Sequence, residues 1–336
     1  MSEMSPTRRD ALRLLAATAA LGAAPAMPWR PALAQSSDIL RWGSSSLGST
    51  GYVIIEALVQ TANKHSDLRS SSLATAGGAE NMVLIDRGEL EFGQSTSSDW
   101  APATKGEKPF PEPVEAHQMF AYTIWNIPLI VHADSGIGSF ADLAGKRVMP
   151  SQPGSAAAVM YQTILRAAGL EGDVRWNFGS WTESYDAFKS RAVDAVPAVL
   201  TNGRQSPQVE EVLTAVDVMV LATPPDVLDK AQALNPGILR KEVAPEAWAA
   251  LEQPMAMPTI SGVVAAHPSI SPDVGYALTK AIFDNAAEVR KVGVQLQDID
   301  INFAVDNLLS GYPVNAGAAR YFQEKGVWRD DLVIAS

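Results

Sequence analysis

Four short polar turns carry most of what this sequence could do chemically. Residues 44–50 read Ser-Ser-Ser-Leu-Gly-Ser-Thr and residues 75–78 read Thr-Ala-Gly-Gly. Residues 153–155 read Pro-Gly-Ser, and Trp181-Thr182 opens a fourth segment. Each turn stands at the start of a run with helical character. A helix start leaves backbone N–H groups without intrahelical partners, and the helix dipole puts partial positive charge there. Such ends hold carboxylates or phosphates without any cationic side chain. Glycine lets the backbone approach closely, and Ser or Thr adds a hydroxyl donor. One such turn is an ordinary helix cap. Several in one chain, each following a strand, are better explained as loops converging on a cleft at the carboxyl ends of a sheet.

Catalytic patterns are missing from the same sequence. The four His residues (His65, His117, His132 and His267) show no His-x-Glu or His-x-x-x-His spacing, so no zinc site is expected. There is no Gly-x-Ser-x-Gly elbow and no Walker loop. Gly48-Ser49-Thr50-Gly51 follows a strand and opens a helix, as a dinucleotide site would, but lacks the Gly-x-Gly-x-x-Gly spacing. Glu183, at a helix start, reads as a capping-box partner. There is no Cys, which excludes disulfides and thiolate chemistry. No enzyme activity and no cofactor are therefore expected. Trp125 and Trp176 alternate with strand residues and read as core. Tyr52 and Trp181 sit beside the polar turns, where packing and ligand contact are both open.

The elements that must position these turns follow from the pattern. Strands are expected at 39–43, 68–73 and 90–93, with helices at 52–63 and 79–87 between them. Residues 105–114, rich in Pro and charge, read as a surface excursion. A strand pair is expected over 119–132, and a crossing into a second lobe near residues 139–148. Helices started by residues 153–155 and running through 168, at 181–191 and at 207–215 then alternate with strands at 174–178, 193–200 and 216–222. A strand at 259–266 and helices at 273–291 and 316–325 close the chain. This rhythm is the signal of an α/β fold.

Composition fits. With 47% hydrophobic and 19% charged residues over 336 positions, the chain can bury a large core. A net charge of −11 argues against nucleic acid, whose phosphates demand basic footprints. The first 34 residues read as an export signal: Thr7-Arg8-Arg9 with Leu12-Arg13, an apolar run over 14–24, and Ala32-Leu33-Ala34. The run is too short for a membrane anchor. The pair Arg8-Arg9 resembles a twin-arginine signal, with Ala11 where Phe is usual. Cleavage near Ala34-Gln35 would leave a periplasmic protein.

Taken in order, several motifs resemble the TAXI-type solute receptors of TRAP transporters, a branch of the periplasmic binding proteins. Residues 43–52 resemble the first loop of that family. Thr75-Ala76-Gly77-Gly78-Ala79-Glu80-Asn81 resembles its Thr-Gly-Gly-Ser-x-Glu-Asn. Residues 88–95 match its Gly-Glu-x-Asp-x-Gly-x-x-Gln-Ser in shortened form. Residues 133–137 with 143–148, Pro153-Gly154-Ser155, residues 276–281 and residues 313–318 complete a series spanning nearly the whole mature chain. The resemblance implies a type II periplasmic binding protein fold, α/β, with two lobes that are each a mixed sheet flanked by helices. The ligand cleft lies between the lobes. On this reading residues 35–140 and 223–336 form lobe 1 and residues 141–222 form lobe 2. It further implies a monomer that captures a small organic acid or amino acid and delivers it to membrane permease subunits. Carried over residue by residue, the implied ligand contacts are Ser45, Ser49, Thr50 and Tyr52; Gly78 and Asn81; Gln94 and Ser95; Gly154 and Ser155; and Thr182. Where the family commonly has Gly-Thr after Ser155, this chain has Ala156-Ala157, which removes donor capacity and points to a less polar ligand. Readings kept open beside this one are the receptor of an ABC importer or sensor kinase, and an exported enzyme on a similar two-lobe scaffold.

Overall fold

A short strand followed by a helix repeats from the first described residues, and it builds the larger of two sheets. The computed structural model describes residues 39–336; the expected export signal and its cleavage site lie outside them. Strand β1 (Leu40–Gly43) leads to α1 (Thr50–His65), β2 (Ser70–Leu73) to α2 (Gly78–Asp86), and β3 (Phe92–Thr96) to α3 (Ser97–Lys105). Then β4 (His117–Asn126), β5 (Leu129–His132), β6 (Arg147–Val148), α4 (Ala156–Ala167), β7 (Arg175–Trp176) and α5 (Trp181–Lys189) follow. Next come β8 (Ala195–Pro197), β9 (Leu200–Thr201), β10 (Arg204–Gln205), α6 (Pro207–Ala215), β11 (Val218–Leu221) and α7 (Pro225–Leu234). The chain ends with β12 (Leu239–Val243), β13 (Met255–Ala266), α8 (Pro272–Phe283), α9 (Ala286–Val289), α10 (Ile301–Asp306), β14 (Pro313–Val314), α11 (Ala316–Glu324) and β15 (Val333–Ile334).

The larger sheet runs β10-β9-β4-β13-β3-β1-β2, with β12, β14 and β15 attached. Its β1, β2 and β3 are parallel, whereas β13 runs antiparallel between β3 and β4. The smaller sheet runs β11-β5-β8-β6-β7. The chain leaves the larger sheet at Ile127-Pro128, between β4 and β5. Proline cannot donate to a ladder, so pairing stops there. This crossing precedes the expected one near residues 139–148. The chain also returns briefly through β9 and β10 before going back to β11. The connection is therefore made of several strands, and Ala198 N–H bonds Pro128 C=O at 2.8 Å across two of them.

Three local expectations change. Strand β3 continues through Thr96 instead of stopping at Gly93, because β13 pairs with all five of its residues. Helix α3 has no apolar periodicity to announce it; a capping box between Thr96 and Asp99 starts it and Gly106 ends it. The helix expected over 273–291 breaks after Phe283, where Asn285 leaves helical geometry and its Nδ2 donates to Ala281 C=O. The excursion at 105–114 is held down by buried Phe110 and Val114.

Two buried polar groups tie the first loops to the larger sheet. Asn81, fully buried on α2, donates from Nδ2 to Ser44 C=O and Gln94 C=O, both at 2.9 Å. Asp99, fully buried on α3, accepts from Thr96 N–H at 2.7 Å and Thr96 Oγ1 at 2.9 Å, while its Oδ1 has no partner. Gly78 makes room for it: a Cβ there would lie 2.0 Å from Asp99 Oδ2. Burial raises the Asp99 carboxyl from 3.8 to about 6, against the lowering effect of its Thr96 hydrogen bonds.

Two outcomes follow. Replacing Asn81 with Ala strands two buried carbonyls, and urea unfolding is expected to show a loss of about 2–3 kcal/mol. For Asp99, the folded state holds the proton more tightly than the unfolded chain. Its stabilising contribution is present at low pH and disappears as pH rises from about 4 to 6. Asp99→Asn should flatten that slope, removing about 2 kcal/mol of the difference in unfolding free energy between pH 4.5 and pH 7. An unchanged slope contradicts the assignment.

Candidate functional site

Five helices begin at one cleft between the two sheets, which encloses about 550 Å³, part of it open to solvent. Ser49 caps α1, its Oγ accepting from Tyr52 N–H at 3.2 Å. Gly77 precedes α2 with φ +119° and ψ −147°, a conformation that glycine alone adopts readily. Ser155 caps α4 by accepting from Ala158 N–H, and Ser206 caps α6 by accepting from Val209 N–H. Ser180 and Glu183 form a capping box on α5, as the sequence suggested for Glu183, and Trp181 opens that helix into the cleft. Among the described residues, the N–H groups of Thr50, Gly51, Ala156 and Ala157 have no hydrogen-bond partner. These are the free donors that helix starts offer to an anion.

The two sides meet closely. A Cβ on Gly77 would lie 3.6 Å from Ser45 Oγ, 3.9 Å from Gln94 Nε2 and 3.9 Å from Ser155 Cα. Gln152, in the turn before α4, donates from Nε2 to Thr75 C=O at 3.2 Å. Gly51 serves the same close packing, since a Cβ there would stand 2.1 Å from Gln94 Oε1. The Gln94 carboxamide is thus wedged between the starts of α1 and α2.

Of the residues carried over from sequence, Ser45, Ser49, Thr50, Gln94 and Ser155 line the cleft together. The others sit around it. Tyr52 is half-buried one residue beyond the lining. Gly78 faces Asp99, and Asn81 clamps the loops from beneath. Ser95 points the other way, donating to Val263 C=O at 2.8 Å and accepting from Trp100 Nε1 at 3.1 Å. Gly154 lies beside Ala76, and Thr182 accepts from Gln208 Nε2 at 3.2 Å.

Other cleft residues escaped the sequence. Trp125 is buried, as expected, but is also cleft wall. Trp176 stacks on Phe178 outside the lining. Ile127 and Val199 contribute apolar wall from the connecting segments and Ile260 from β13 of the larger sheet, and Tyr185 lies beside Trp181, with ring centroids 5.8 Å apart. Ser206 could have been found, because Ser-Pro before the helix at 207–215 is the same cap signal as the other turns. Ala156 and Ala157 do line the cleft, so the loss against the family pattern is confined to side chains and their N–H groups remain.

Among the described residues, no charged side chain lines this cleft. Its polar anomalies are neutral and buried: Gln94 Oε1, Trp125 Nε1 and Tyr185 OH have no hydrogen-bond partner among the described residues. Burial pushes the Tyr185 phenol up, with the Val199 backbone acting against it, so the hydroxyl keeps its proton. Buried polar groups are ordinarily satisfied, so these three, from different elements around the cleft, leave hydrogen-bonding capacity unused there. Among the described residues no group of His, Asp and Glu is arranged to hold a metal ion, and no helix is long and apolar enough to cross a membrane.

The fold recurs in solved structures at low sequence identity. The chain is similar to a protein from Bordetella bronchiseptica RB50, at 17% identity and a TM-score of 0.50 over 87% of this chain and 90% of that one. It is similar to a periplasmic transporter at 16% identity and a TM-score of 0.50, covering 77% of this chain and 86% of that one. It is also similar to the chloride-bound XAC2383 protein from Xanthomonas citri, at 13% identity and a TM-score of 0.50, over 87% and 98% of the two chains. The fold is the type II periplasmic binding protein fold, a mixed-sheet α/β architecture with helices flanking two sheets. A family match runs over residues 43–326, and the chain belongs to the NMT1-like family.

Proposed function

We propose that this protein is an extracytoplasmic solute receptor that closes on a small organic acid or amino acid and delivers it to membrane permease subunits of a TRAP-type transporter. The observation that carries this is the cleft itself: free helix-start N–H groups from both sides, with orphaned polar atoms of Gln94, Trp125 and Tyr185 between them. A ligand bridging Ser45, Ser49 and Thr50 on one side and Ser155 on the other binds the closed arrangement better than an open one, and so shifts the population toward it. On this reading Gly43–Gly77 and Gln94 belong to the first lobe, Ser155 and Trp181 to the second, and the strands at Ile127 and Val199 to the hinge. The protein is exported, works as a monomer and has no catalytic role; none of the cleft residues is an acid, base or nucleophile primed by a partner. The choice of a TRAP permease is supported by the ordered motifs from Gly43 to Ala318.

Ser155→Trp fills the α4 start and is expected to abolish the melting-temperature rise that a bound ligand gives in scanning fluorimetry. A retained shift removes the cleft from the proposal. In reconstituted vesicles, uptake with the cognate permease is expected to follow an ion gradient without ATP. Uptake that needs ATP hydrolysis would instead make the protein an ABC-importer receptor.

A further inference from the structure

The receptor reading leaves the ligand's class open between organic acids and amino acids, and the charge of the cleft decides between them. A zwitterionic amino acid brings two charges. Its carboxylate matches the helix starts, whose free N–H groups and dipoles favour an anion. Its ammonium needs an acidic partner, because an unpaired buried charge is costly. Among the described residues, no Asp or Glu lines the cleft. The nearest buried acid, Asp99, stands behind Gly78 and is engaged by Thr96. Glu80 is turned back onto Ala76 N–H and does not line the cleft. The same partial positive charge that favours an anion repels an ammonium.

The rest of the wall is apolar or neutral. Trp125, Ile127, Val199 and Trp181 offer hydrocarbon and aromatic surface, and Tyr185 OH and Trp125 Nε1 add neutral donors. Resting on the receptor reading, we propose that the ligand is an organic anion with an apolar body and no ammonium group, its acid head held at the starts of α1 and α4 and its body against Trp125 and Trp181. Gln94, nine-tenths buried between the starts of α1 and α2, can serve the head only through its Nε2 donor, since its Oε1 is an acceptor packed against Gly51.

Matched pairs that differ only in the amine test this: 3-phenylpropionate against phenylalanine, and 4-methylpentanoate against leucine. Each is titrated by calorimetry into refolded protein, and into the Ser155→Trp and Tyr185→Phe variants. Tyr185→Phe removes one orphaned hydroxyl, so it should fold with an unchanged or higher melting temperature while binding the acid several-fold more weakly. The expected result is at least tenfold tighter binding of the acid in each pair, lost in Ser155→Trp. If the amino acid binds as well as its acid partner and Ser155→Trp abolishes both, the ligand class is overturned and the receptor cleft stands. If neither acid binds at millimolar concentration, the ligand class is likewise overturned. If binding survives in both variants, the cleft reading falls with it.

Discussion

Backbone N–H groups at a helix start have no partner inside the helix, and here several helices open toward the same gap between two sheets. Much of the site's construction is a consequence of that geometry. The partial positive charge is fixed in the backbone, so no lysine or arginine is needed to attract an anion. The backbone must come close for the charges to act together. That requirement accounts for Gly51 against Gln94 and for Gly77 between Ser45 and Ser155. It also accounts for Asn81, whose side chain holds the Ser44 and Gln94 carbonyls and so fixes the two loops relative to each other.

The connection between the sheets has the form that closure requires. Ile127-Pro128 and Ala198-Val199 pass between sheets within a residue or two of paired strands, and Trp125, Ile127 and Val199 place apolar side chains at the base of the cleft. Tyr161 on α4 reaches the Ile127 carbonyl at 2.5 Å, so α4, whose start lines the cleft from the second side, is anchored to the connecting segment. Gln152 to Thr75 is a part-buried hydrogen bond between the sides, worth about 1 kcal/mol, and α4 also packs against α3 and α7.

Much of this was legible in the sequence because the turns that matter are written in residue types with unambiguous physics. Ser49 and Ser155 are caps by identity and position, Glu183 closes a capping box, and the helix at 207–215 appears with the expected bounds. The parts that were not legible depend on distant pairing. Strand β3 extends through Thr96 only because β13 lies beside it from more than 160 residues away. Trp125 alternates like a core residue and is one, yet the same ring is cleft wall, since a strand residue's neighbours are set by how the sheets meet. Asn81 and Ser95 belong to the motif that carries the resemblance but serve the scaffold in this geometry, showing that a conserved-looking polar residue can act through the loops it holds.

The central claim is that one small anion bridges the two sides at the helix starts of α1 and α4. A crystal structure of the protein purified without denaturation, with its bound small molecule identified by native mass spectrometry of the same sample, tests it most directly. The predicted result is an acidic molecule in the cleft, with its head within hydrogen-bonding distance of Thr50 or Gly51 N–H and of Ala156 or Ala157 N–H. A stoichiometric ligand bound elsewhere, or one whose cationic group occupies the helix starts, would contradict it.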